Sequence, residues 1–402
     1  MNPLQKGIKG FITTHISPSH LSQNNVSPDN LISSLPKRYT IYEPMLLLSP
    51  NAFTHPPAWR WLYESLKEDQ KDTLYASIAS EFKHLGITHI AVNAPIILTN
   101  SQGFENRMRS PSGLVPLLGD FGPPVSGDHG PEKSMQSTET EYKRAFWVRT
   151  VQNHGIVQTW APLYTMFSRG NITEKARIVD CGSTFEGLDG VSLCGEGVQD
   201  VAVVDMYAGI GYFVFSYLKR GVKRVWGWEI NGWSVEGLRR GCVENGWGVK
   251  VVEVASDGQL NVPVSELVGS LRETDRVVVF HGDNRFAAGI LREIRCLMCI
   301  ESPAHWIGIR HVNLGLLPTS RDSWSSACEI IDENKGGWVH LHENVDVHEI
   351  EDKKGEISAN LQKLWSQLCN IRPGVECRHV EQVKTYAPGV MHCVFDFRLS
   401  AY

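Results

Sequence analysis

The chain has 402 residues, 42% of them hydrophobic, and its 39 Lys and Arg stand against 44 Asp and Glu for a net charge of -5. Twelve Trp, 11 Tyr and 14 Phe suffice for buried cores and exclude a mostly disordered polymer. The charge excludes a polycation that coats nucleic acid in bulk. No apolar run reaches the roughly 20 residues of a spanning helix, and Met1–Asn25 lacks a secretory apolar core. Nine Cys at irregular spacing suit a reducing compartment better than a disulfide framework. These features predict a cytoplasmic protein with no membrane contact, no metal and no obligate protein partner.

In chain order, residues 1–36 are rich in Ser, Asn, Pro and His and read as a flexible leader. Residues 37–165 read as a smaller N-terminal α+β module. It begins with a strand at Tyr39–Leu48, helices at Pro56–Lys67 and Asp72–Leu85, and a strand at Ile87–Val92. A flexible insert is expected at about 101–140, where Gly, Pro and Ser crowd together. Two β-rich runs follow, Ala145–Thr150 and Gly155–Ala161. The glycine-dense stretch at 182–199 reads as a surface insertion. Residues 166–402 then alternate strands and helices, which predicts a mostly parallel sheet covered on both faces. The final runs, Val375–Thr385 and Met391–Leu399, predict a closing antiparallel hairpin.

Three strand ends carry polar groups where open α/β sheets bind ligands. The first reads Asp205-Met-Tyr-Ala-Gly209-Ile-Gly211, a turn whose glycines let backbone approach a ligand. The second ends in Glu229, eighteen residues beyond Gly211, where a carboxylate can accept both ribose hydroxyls. The third ends in His281-Gly282-Asp283-Asn284-Arg285, able to hydrogen-bond an adenine edge or simply to cap the next helix. The dinucleotide fingerprint is incomplete, because Val214 stands where its third glycine belongs. An acidic residue before GxG resembles instead the S-adenosylmethionine site of class I methyltransferases, a ligand without phosphates. A fourth strand runs into Asn313-Leu-Gly-Leu-Leu-Pro318, a loop that can orient a substrate amine or ring.

An ordered set of motifs extends this resemblance. It comprises Met166-Phe-Ser-Arg-Gly-Asn-Ile-Thr-Glu-Lys175-Ala-Arg177, DMYAGIGYF, WGWEIN, HGDNR, HVNLGLLP and the closing VKTYAPGVMHCVFDF. The chain resembles the tRNA wybutosine-synthesising enzymes of the second step, the tRNA(Phe) 4-demethylwyosine α-amino-α-carboxypropyltransferases. These fall within the archaeal-eukaryotic tRNA guanosine N1-methyltransferase superfamily. PKRYTIYEPMLLL near the N-terminus also fits, and the resemblance covers about residues 36–100 and 141–400. It implies a class I methyltransferase-like Rossmann fold with a seven-stranded sheet. It further implies S-adenosylmethionine as co-substrate and the anticodon region of tRNA(Phe) as partner. Carried over residue by residue, Ser168, Lys175, Asp205, Gly209, Gly211, Glu229, Asp283 and Asn284 would bind the cofactor. Lys175 would hold the carboxylate of the transferred arm, and Asn313 would position the acceptor. FSRGN and NLGLLP follow the carboxypropyl branch, whereas the methyltransferase branch resembles FxPR and NLP. The alternative is methyl transfer to a tRNA guanosine.

Other signals are weaker. Basic groups at Lys143/Arg144/Arg149, Lys219/Arg220/Lys223/Arg224 and Arg239/Arg240 suit phosphate contacts or ordinary solvated faces. Cys296-x-x-Cys299 lacks a second ligand pair, and His340, His342 and His348 on a strand read as structural.

Overall fold

The computed structural model describes residues 1–23, 26–93, 114–123, 138–165, 167, 171–182, 184–301, 306–368 and 374–400. They fall into two compact units, and the boundary after the first unit's last segment lies at 167/168. The first unit starts with three helices, α1 (Pro3–His15), α2 (Pro18–Gln23) and α3 (Pro28–Ser33). They replace the leader expected over residues 1–36. Asn2 caps α1 by accepting from the Gln5 amide at 3.0 Å, and Gln5 returns the bond, a capping box that satisfies otherwise orphaned groups. Leu4, Ile8, Phe11 and Ile12 then share a buried face. Gly7 is a contact point: a Cβ there would lie 2.7 Å from the Ile78 Cα.

The rest of this unit contains β1 (Tyr39–Tyr42), β2 (Met45–Leu48), α4 (Pro57–Ser65), α5 (Glu68–Glu81), β3 (His89–Val92) and β4 (Val115–Leu118). Its sheet has the order β1-β2-β3-β4. The single strand expected over Tyr39–Leu48 is an antiparallel pair, turned at Glu43-Pro44. Part of the expected insert is also built in, since β4 pairs antiparallel with β3 and α6 (Glu139–Arg144) starts under a Thr138 cap. Residues 94–113 and 124–137, which hold most of that expected insert, lie outside the described set. Two short strands, β5 (Val148–Val151) and β6 (Val157–Trp160), pair with each other.

The second unit carries α7 (Ile172–Ile178), β7 (Ala202–Asp205), α8 (Val214–Arg220), β8 (Arg224–Glu229), α9 (Gly232–Glu244), β9 (Gly248–Glu253) and α10 (Val264–Gly269). It continues through β10 (Asp275–His281), α11 (Ala287–Glu301), β11 (Ile309–Leu314), α12 (Trp324–Ile330), β12 (Gly337–Asp346), α13 (Ile350–Leu368), β13 (Gly374–Ala387) and β14 (Val390–Ser400). The sheet order is β13-β14-β12-β11-β7-β8-β10-β9. Six strands run parallel and the β13–β14 hairpin closes one edge antiparallel. The sheet thus has eight strands where seven were expected. The extra one is the half-buried edge strand β9, outside β10. Apolar clusters cover both faces, as a parallel sheet requires.

The glycine-dense stretch is not a surface appendage. Phe185, Leu188 and Leu193 are buried in the core on one face. Gly187, at φ 90°, has no room for a side chain, since a Cβ would meet the His311 and Trp338 rings at 2.6 Å.

Candidate active site

The parallel strands bring their C-terminal ends together. Asp205 ends β7, fully buried, and its register partner on β11 is Asn313, itself 1% exposed. Asn313 Nδ2 donates to Asp205 Oδ1 at 3.2 Å, and the Tyr207 amide donates to the same oxygen at 3.1 Å. Oδ2 of Asp205 is buried with no hydrogen-bond partner. Burial pushes this carboxyl up to about 7, against the pull of the Asn313 and Tyr207 bonds.

The glycine turn follows. Gly209 and Gly211 have φ of 54° and 91°, the left-handed region glycine tolerates. A Cβ on Gly209 would meet the Tyr212 ring at 2.9 Å, and one on Gly211 the Phe215 ring at 2.5 Å. The Gly209 amide donates to Glu229 Oε2 and the Asn231 amide to Oε1, each at 2.8 Å. Burial raises the Glu229 pKa, partly offset by those amides. Asn284 Nδ2 donates to the Met206 carbonyl at 2.8 Å, which ties the third strand end to the first. Asp283 accepts from the Arg285 amide at 3.0 Å as the cap of a short 3-10 turn, so the capping role is real there.

Lys175 approaches from α7. Its ammonium stands 5.1 Å from the Tyr212 ring centroid, is buried, and has no hydrogen-bond partner. Burial, followed by the Lys384 ammonium, pulls its pKa down to about 8. It lines a cavity with Gln158, Ile172, Tyr212 and Ser216. Hydrogen bonds thus join Asp205 to Asn313, Gly209 to Glu229 and Asn284 to the Met206 carbonyl, with Gly211 in the same turn as Gly209 and Lys175 over the Tyr212 ring. Ser168 lies outside the described residues.

Sequence reading missed the supports of α7. Glu174 pairs with Arg177 at 2.8 Å, and Arg177 also grips the Thr184 carbonyl and, at 2.6 Å, Asp396 on β14. Burial lifts Glu174 to about 7 despite Arg177, whereas His340 and Arg177 hold Asp396 far below the carboxylate range in spite of its burial. His340 Nδ1 pairs with Asp396 Oδ1 at 2.7 Å, its Nε2 with His311 Nδ1 at 2.9 Å, and His311 Nε2 with the Gly187 carbonyl at 2.7 Å. His342 bonds His392 at 3.0 Å; burial, with Lys384, pulls His392 down to about 4. The expected structural role of His340 and His342 matches these bonds. Among the described residues no group of three or more His, Cys, Asp or Glu is arranged to hold a metal ion.

At least four of the nine basic residues in these groups have partners within the protein. Arg220 binds the Leu188 carbonyl and Asp180, Arg224 binds backbone carbonyls of Arg272 and Asp275, and Arg239 and Arg240 both pair with Glu236.

A doubly covered α/β sheet with an acidic strand end, a GxG turn and a ribose-type carboxylate defines a Rossmann-like transferase of the S-adenosylmethionine class. The buried, unpartnered Asp205 Oδ2 and Lys175 Nζ suit a ligand carrying both positive and carboxylate charge. The chain is 37% identical to tRNA wybutosine-synthesizing protein 2 of Schizosaccharomyces pombe over 363 residues, 90% of this chain and 72% of that one. It is 29% identical to the Saccharomyces cerevisiae protein of the same name, across 98% and 80% of the two chains. No protein-family model matches. Among solved structures, Pyrococcus horikoshii TYW2 in complex with MeSAdo has a TM-score of 0.55 at 18% identity, covering 98% of this chain and all of that one. Pyrococcus abyssi Trm5b has a TM-score of 0.51 at 16% identity, covering 93% and 78%. These two share the fold. The chain belongs to the tRNA wybutosine-synthesizing protein 2 family. Membership places it in tRNA modification, in the synthesis of wybutosine.

Proposed function

We propose that the chain transfers the α-amino-α-carboxypropyl group of S-adenosylmethionine to the 4-demethylwyosine base beside the anticodon of tRNA(Phe), releasing methylthioadenosine. The kinship with the wybutosine proteins carries this reading. The bound sulfonium supplies a carbon that accepts an electron pair from the base as its bond to sulfur breaks, leaving a neutral thioether while the base loses a proton.

The chain's residues divide the binding work. Glu229, fixed by two backbone amides, accepts the ribose hydroxyls. Asp283 and Asn284 contact the adenosine; Asn284 has its amide nitrogen tied to Met206 and its carbonyl oxygen left to accept. Gly209 and Gly211 give the ligand backbone-close access. Asp205 offers an unpartnered carboxylate oxygen to positive charge. Lys175 pairs with the carboxylate of the arm, and Asn313, held by Asp205, orients the acceptor. Ser168 takes its cofactor role from the family pattern. Regiochemistry comes from which carbon is held in line with the base.

The product released during turnover tests the reading. With tRNA(Phe) carrying the tricyclic precursor, chromatography should find methylthioadenosine. S-adenosylhomocysteine in its place would mark methyl transfer and overturn the proposal.

A further inference from the structure

Lys175 is not the only polar group left open at its cavity. Gln158 and Ser216 line the same space, each is 1% exposed, and Gln158 Oε1 and Ser216 Oγ are buried without a hydrogen-bond partner, as is Lys175 Nζ. Three residues with orphaned atoms, from three separate segments (β6, α7 and α8), thus line one cavity. Buried polar groups rarely go unpaired in a folded protein, and a cluster of them marks a place where a partner belongs.

The kinds of atom name the partner. An ammonium and a hydroxyl can donate, which suits a carboxylate; an amide carbonyl oxygen accepts, which suits an ammonium. Their convergence fits a zwitterionic α-amino acid. Ile156, Ile172 and Tyr212 supply apolar wall for its methylenes. The cavity borders the glycine turn through Tyr212, whose ring lies against both Gly209 and Lys175.

We infer that Gln158, Ser216 and Lys175 form the pocket for the amino-acid end of the transferred arm, with Lys175 and Ser216 on its carboxylate and Gln158 on its ammonium. This rests on the proposed carboxypropyl transfer and adds two residues to it. Held at both polar groups, the arm is fixed from its far end. The carbon linking arm to sulfur is then the one presented in line with the acceptor.

The full chain titrated by calorimetry with S-adenosylmethionine and, separately, with methylthioadenosine tests the pocket, because the second ligand lacks the arm. Gln158→Leu and Ser216→Ala should each weaken S-adenosylmethionine about tenfold, the scale of one hydrogen bond to a charged group. Methylthioadenosine should bind both variants as it binds the unaltered chain, which also reports that they fold. Equal weakening of both ligands in both variants would overturn the inference, since the residues would then support the fold. Unchanged affinity for both ligands would also overturn it, leaving a cavity for water only. If Ser216→Ala binds neither ligand, Gln158→Leu decides. Release of S-adenosylhomocysteine by the unaltered chain would overturn the carboxypropyl reading separately, with the affinity ratios still judging the pocket.

Discussion

Lys175 shows how a single residue can be chosen by sequence yet explained only by its surroundings. Its place in FSRGNITEK marks it, but the buried, unpaired ammonium with a pKa near 8 comes from burial and from Lys384 on β13. A carboxylate ligand pairs with the protonated form. Below about 8 the proton is already present; above it, binding must first restore the proton, so affinity falls as pH rises, by up to about tenfold per unit. Calorimetry with S-adenosylmethionine from pH 7 to 9.5 should show this decline, and Lys175→Met should bind weakly without that component. An identical slope in the variant would remove Lys175 from the carboxylate. Asp205, Gly209, Glu229 and Asn313 were legible because each sits at the end of a strand visible in its own local run. Gln158, Ser216 and the histidine pairs were not. Their chemistry depends on partners as distant as Asp396 is from Arg177, 219 residues along the chain.

At the scale of elements, α7 is positioned by charge rather than by helix propensity. It has seven residues, its Asn171 cap sits at φ 67° without a side-chain cap bond, and a helix so short is marginal in isolation. The buried Arg177 ties it to β14 through Asp396 and to the glycine-dense loop through Thr184. Removing one partner from a buried ion pair strands the other charge. Arg177→Met is therefore expected to destabilise the second unit by about 3–5 kcal/mol, read by denaturant unfolding of the full chain. A loss near zero would mean that packing alone holds α7. The N-terminal helices show the opposite limit. The apolar spacing of Leu4, Ile8, Phe11 and Ile12 is present in α1, but the Ser, Asn, Pro and His content of residues 1–36 outweighs it, and the close approach of Gly7 to α5 is contained in no local pattern. Most of the parallel sheet was legible, since buried strands leave near-continuous apolar runs. The edge strand β9 lies outside the seven strands that the family pattern implies.

For the whole molecule, the net charge of -5 is unevenly placed. Residues 329–360 hold nine acidic and three basic side chains, so the rest of the chain stands at +1. With Arg220, Arg224, Arg239 and Arg240 engaged internally, bulk attraction for RNA is weak, and specificity rests on shaped sites. The central claim concerns which part of the cofactor moves. Its most direct measurement uses S-adenosylmethionine labelled with one isotope in the methyl group and another in the carboxypropyl arm, with tRNA(Phe) bearing the tricyclic precursor. The arm label should enter the RNA and the methyl label should stay in the released nucleoside; methyl label in the RNA without arm label would contradict the account.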